Sequence, residues 1–168
     1  MTTAIPLTRL ILEKVLEQTS LLDKLIERVE PYSSNWQPGP GEFSTAQLLE
    51  HLLESVAGFC AVLYAANPDT LNHFKSLREF LTIENARPDQ VRVRLRALED
   101  HIKEGFDSLN DSDLGRRIVT VFVPEGEPLL TLLLGNLEHL INHKHQLFSH
   151  LKLQGKNLTS SDLYKFRE

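Results

Sequence analysis

The chain has one cysteine in 168 residues, Cys60, which rules out an internal disulfide framework. Positive charge is also in short supply. Lys and Arg total 18 against 23 Asp and Glu, for a net charge of −5, so there is no electrostatic case for a nucleic-acid partner. No apolar run approaches the roughly 18 residues that suggest a membrane span. The opening Met-Thr-Thr-Ala-Ile-Pro has no basic region followed by an apolar core, so no secretory signal is expected and the cytoplasm is the expected compartment. Gly39-Pro-Gly41 lacks the spacing and strand context of a phosphate-cradling loop. There is no internal repeat and no low-complexity tract.

What is present is ordinary globular material. Apolar residues make up 41% and charged residues 24% of the chain, enough to bury one real core, and residues 1–168 are expected to form one domain. Four segments carry helical periodicity. Leu7, Ile11, Val15, Leu22, Ile26 and Val29 mark the first, which Pro31 closes. A Pro/Gly/Ser-rich loop holding Trp36 follows. Ser44, with Gln47 three residues on, then forms a capping box before the stripe Leu48, Leu52, Val56, Phe59 and Leu63. A short amphipathic piece (Leu71, Phe74, Leu77, Phe80, Leu81) predicts a connecting helix.

The third stripe is Val91, Leu95, Leu98, Ile102, Phe106 and Leu109. Pro88 stands near its start, and Arg92, Arg96 and Glu99 are on the far side. Ile118 to Val123 reads as a short strand, a lone candidate and so an accessory ribbon. The fourth helix is expected from about Leu129 to Leu153, with Gly155 ending it. At about 100° per residue, Leu129, Leu132, Asn136, His139, Leu140, His143, Leu147 and His150 share one side. The expected fold class is all-α, a four-helix bundle with a short accessory β ribbon.

The chemistry lies in the histidines. His139 and His143 are four residues apart, so both imidazoles can face one point. Seven histidines scattered at random would give such a pair roughly one time in four, so spacing alone says little. Their expected place on the core-facing stripe adds weight, because two imidazoles among leucines need polar partners and a divalent metal is a good one. A zinc site usually takes a third protein ligand. His51, at the edge of the second stripe, is the best available. The competing reading is a pair of core histidines bonded to Asn136, Ser55 or buried water.

Glu54, one turn beyond His51, could orient a ligand or act as a base. His150 could line a pocket, but it stands roughly 10 Å along the axis from His143, too far to share the ion. Tyr64 is a further pocket candidate. His73, His101 and His145 read as surface residues. Cys60 falls on the buried side of its helix, as an inert thiol. His139-Leu-Ile-Asn-His143 lacks the glutamate that zinc metallopeptidases place after the first histidine, which argues against proteolysis by that route.

Three segments are similar to the DinB/YfiT-like family of metal-binding four-helix bundles. They are Trp36-Gln-Pro38 with Ser44-Thr-Ala-Gln-Leu-Leu-Glu-His51, His139-Leu-Ile-Asn-His143-Lys-His-Gln146 running on to Gly155, and the Pro124-to-Pro128 turn. The resemblance implies long crossover connections, His51, His139 and His143 as ligands to one zinc or nickel ion, and a homodimer. It also implies a thiol S-transferase-like enzyme, with a low-molecular-weight thiol as a further cofactor; an ion that activates water instead would make it hydrolase-like. His145 and His150 depart from the family pattern, which bears on the substrate and not on the metal. A non-enzymatic, stress-associated metal-binding protein with a structural ion is the alternative. No nucleic acid or membrane is expected as a partner.

Overall fold

The first helix, α1 (Leu7–Glu27), starts after Pro6 with no capping side chain of its own. Its cap comes from a distant part of the chain. The Asp111 carboxylate accepts from the Leu7 and Thr8 amides at 2.8 and 2.9 Å and from the Thr8 hydroxyl at 3.0 Å. Those donors hold the carboxyl below its ordinary 3.8. A group depressed on folding stabilises the fold above its unfolded pKa, and that contribution is lost as pH falls through the folded value. Asp111→Ala is therefore expected to lower the melting temperature at neutral pH. The gap from wild type should close on acidification below 3.8. Thermal melts across that range check it, and a gap independent of pH would contradict the capping role.

The computed structural model describes residues 4–77, 83, 86–121 and 123–165. Ser44 and Gln47 form the expected capping box at the head of α2 (Thr45–Ala66). The loop before it is pinned to the same helix end: the Thr45 amide donates to Trp36 O at 2.8 Å and the Ala46 amide to Ser34 O at 2.9 Å. Pro88 occupies the first turn of α3 (Pro88–Asp107), which buries Val91, Leu95, Leu98, Ile102 and Phe106 as the spacing predicts. Arg92 is not simply on the far side. Its guanidinium grips Asp23 of α1 through two bonds of 2.8 and 2.9 Å and reaches Glu27 at 3.1 Å. Gly105 lets α3 lie close on α2, since a Cβ there would stand 2.7 Å from Leu63 Cδ1.

The last long helix, α4 (Leu129–Leu153), ends with Gly155 at φ +82°. The Lys156 amide reaches back to Leu151 O and the Gly155 amide to Lys152 O, which satisfies the carbonyls of the last turn. α2 packs between α3 and α4, while α1 closes the other side against the same two helices. The bundle is thus ringed α1–α3–α2–α4, with consecutive helices α1 and α2 diagonal to each other. α2 is itself long and apolar enough, by composition, to span a bilayer, contrary to the reading of the sequence. More than half of that stretch is buried inside the bundle.

Two sequence expectations change. The strand over Ile118–Val123 shrinks to β1 (Arg117–Ile118), paired antiparallel with β2 (Glu127–Pro128). Past Ile118 the chain folds back on itself, the Thr120 and Val123 amides each donating to the other's carbonyl at 3.3 Å, so Val119 and Val121 stay exposed instead of pairing. Phe122 lies outside the described residues. The connecting segment forms a 3₁₀ turn at Asn72–Ser76 that buries Phe74, and the predicted Phe80 and Leu81 lie outside the described residues.

The buried stripe of α4 is also rotated from the expected one. It runs Leu129, Leu133, Leu140, Lys144, Leu147 and Leu151, with Phe148 and His150 beside it. His139 is exposed and His143 half-buried. The pair therefore sits at the margin of the core, not among the leucines. Lys144 takes the interior position, with Nζ donating to Gln18 Oε1 at 2.6 Å and to Leu163 O at 2.7 Å.

Candidate metal centre

His51 projects from the second turn of α2, and His139 and His143 from successive turns of α4, where the two helices pack together. The three rings converge. His51 Nε2 lies 3.1 Å from His143 Nε2 and 3.0 Å from His139 Nε2. One ring nitrogen from each residue falls within 4.8 Å of the other two.

The outer nitrogens define the tautomers. His51 Nδ1 is 3.1 Å from the Glu54 carboxylate, which can only accept, so Nδ1 carries the proton. His143 Nδ1 donates likewise to Gln146 Oε1 at 2.9 Å. In both residues Nε2 is left with its lone pair, and the two lone pairs aim at each other. Neutral rings in this state repel at contact distance unless a cation lies among them. Burial, and then the like charge of His143 and His51, hold the pKa of His139 below 6.5.

The donor set suits a divalent ion. Tetrahedral Zn–N bonds of about 2.0–2.1 Å place neighbouring nitrogens about 3.3 Å apart, close to the spacings found here. The proton on each Nδ1 held by an oxygen acceptor is the usual outer-shell arrangement of ligating histidines. Phe43 walls one side, its ring centroid 5.3 Å from that of His51 and 6.3 Å from that of His143. His51 keeps 28% of its side chain exposed and Glu54 67%, so the cluster opens to solvent.

The remaining sequence candidates separate. Glu54 joins the cluster as the partner of His51. His150 is buried, edge-on to Trp36 with ring centroids 5.3 Å apart, and its Nδ1 has no hydrogen-bond partner among the described residues. Tyr64 stands thirteen residues along α2 from His51, about 20 Å away along the axis, and takes Lys75 over its ring. It does not approach the histidines. Among the described residues neither competing partner bonds to their rings: Ser55 Oγ donates to the backbone oxygen of His51, and Asn136 packs on Gly58. Cys60 is buried as expected, and desolvation pushes its thiol up to about 12. The sequence reading gave no role to Gln146 as an acceptor. Its position three residues after His143, on the same helix face, was the available signal.

The model of the DinB superfamily matches residues 15–147, a span that includes all three histidines. No curated protein matches the chain. Among solved structures, a DinB-like protein of Bacillus subtilis, YjoA, is similar with a TM-score of 0.67 at 20% sequence identity. That likeness covers 88% of this chain and 94% of the other, and it shows the shared fold.

Proposed function

The chain belongs to the DinB superfamily, and on that premise we propose that it is a metal-dependent enzyme whose His51, His139 and His143 hold one divalent ion, zinc or nickel. The observation that carries this reading is the set of Nε2 atoms converging at 3.0 and 3.1 Å, with the Nδ1 atoms of His51 and His143 held by acceptors. When bound, such an ion keeps its full charge and lowers the pKa of a thiol or water at its open position.

The chain's own residues do the rest. Gln146 and Glu54 lock two imidazoles in the tautomer that presents Nε2. Glu54, largely exposed beside His51, is placed to take a proton released at the cluster. Phe43 shields one flank and leaves the solvent side for an electrophile. The product is an S-conjugate if a low-molecular-weight thiol enters, or a hydrolysed substrate if water does.

A second reading has its own support, since the three ligands join α2 to α4 and an ion there would also clip the bundle. Three measurements test the readings: metal content of the purified protein, thiol or ester consumption with generic electrophiles, and the melting temperature of His139→Ala. Stoichiometric metal with turnover that a chelator abolishes is expected. Stoichiometric metal with no turnover of any thiol or ester, and a large loss of melting temperature in His139→Ala, would leave only the structural ion.

A further inference from the structure

Outside that cluster, two histidines that the sequence places on the surface meet across two elements. His73, on the 3₁₀ turn Asn72–Ser76, puts Nε2 3.1 Å from the carboxylate of Glu104 on α3. His101, one turn before Glu104 on the same helix face, puts Nδ1 3.7 Å from that carboxylate. One donor atom from each of the three lies within 4.8 Å of the others.

We propose that His73, His101 and Glu104 form a second divalent transition-metal site, independent of the first. Two imidazoles and one carboxylate suit zinc and its neighbours in the first transition row. The two contacts to the carboxylate, 3.1 and 3.7 Å, bracket the roughly 3.3 Å edge of such a coordination shell, and the donor atoms of the two imidazoles lie within 4.8 Å of each other.

The geometry is more than a surface ion pair. Phe74 is buried between the two imidazoles and meets both edge-on, with ring centroids 4.9 Å from His73 and 5.3 Å from His101. That ring limits the rotation of both ligands and so reduces the entropy that binding would cost. The outer side is open: His73 is 50% exposed and Glu104 48%, which leaves room for water or a small ligand to complete the shell. Lys75, in the same turn, lies over Tyr64, and Tyr64 is the residue about 20 Å along α2 from His51. The two sites thus occupy opposite ends of α2 and cannot share an ion. An ion here would fasten the 72–76 turn to α3.

The test uses the full-length, tag-free chain, stripped of metal and titrated with Zn²⁺ against a chromophoric chelator. Two equivalents are expected for the wild type. His73→Ala and Glu104→Gln should each retain one, and His51→Ala should retain the other. Occupancy of the second site should raise the melting temperature in His51→Ala but not in the His51→Ala/His73→Ala double variant. His73 and Glu104 are half-exposed and Glu104→Gln preserves shape, so loss of folding does not blur the result. A wild-type chain that binds a single equivalent, lost in His51→Ala but kept in His73→Ala and Glu104→Gln, overturns the second site and leaves the first standing. The opposite pattern supports the second and removes the first. A second equivalent too weak to compete with the chelator also overturns it.

Discussion

His51→Ala is expected to lose the ion at the three-histidine cluster while the metal-free fold keeps its stability. His51 is the hub: its Nε2 is the atom close to both other rings, and α2 supplies no other imidazole. What remains is an i,i+4 pair on α4 with too few protein ligands for a usual zinc site. Loss of an outer-shell partner commonly costs roughly 10–100-fold in metal affinity, so loss of the hub ligand should exceed about 100-fold. Glu54→Ala should fall inside the smaller range, because it frees the Nδ1 of His51 without removing a ligand. Because His51 is partly exposed and outside the leucine stripe, its truncation should cost the apo fold less than about 1 kcal/mol. Competitive metal titration beside thermal melts of the chelated protein measures both. Unchanged affinity in His51→Ala would remove the proposed centre and, with it, the proposed enzyme.

The second large effect concerns stability. Lys144 is 2% exposed, and its ammonium ties α4 to Gln18 of α1 and to the backbone of Leu163 in the tail. Desolvation pushes its pKa down to about 8, so the fold already bears a cost for this cation. Lys144→Ala empties a space the length of the side chain, a change that in buried positions costs about 2–5 kcal/mol for comparable truncations. It also leaves Gln18 Oε1 and Leu163 O without their donor, at about 1–3 kcal/mol for each acceptor that stays buried. Relief of the desolvated charge offsets part of this. A net loss of about 2–4 kcal/mol is the expected result in urea denaturation. Lys144→Met refills the volume and should lose clearly less. Equal midpoints for wild type and Lys144→Ala would mean that the ammonium ties contribute nothing net.

Much of this protein was legible in its residues. The capping box at Ser44, Pro88 in the first turn of α3 and Gly155 past the end of α4 mark helix ends by local chemistry, which depends on a few neighbours and so can be read along the chain. The buried set of α3 follows from its period for the same reason. The i,i+4 spacing of His139 and His143 guarantees that the two share a helix face whatever surrounds them.

Tertiary packing decided the rest. Which side of α4 faces inward was misjudged by a fraction of a turn, because Lys144 reads as a polar residue until Gln18 and Leu163 are brought to its ammonium from elsewhere in the chain. That rotation moved His139 and His143 from the interior to the solvent-facing margin, where an ion could be reached. The cap of α1 by Asp111 and the meeting of His73 with Glu104 likewise join residues far apart in sequence. Periodicity reports what one helix does along its own axis. It says nothing of how that helix is turned against its neighbours, since the angle is set by side-chain packing between elements.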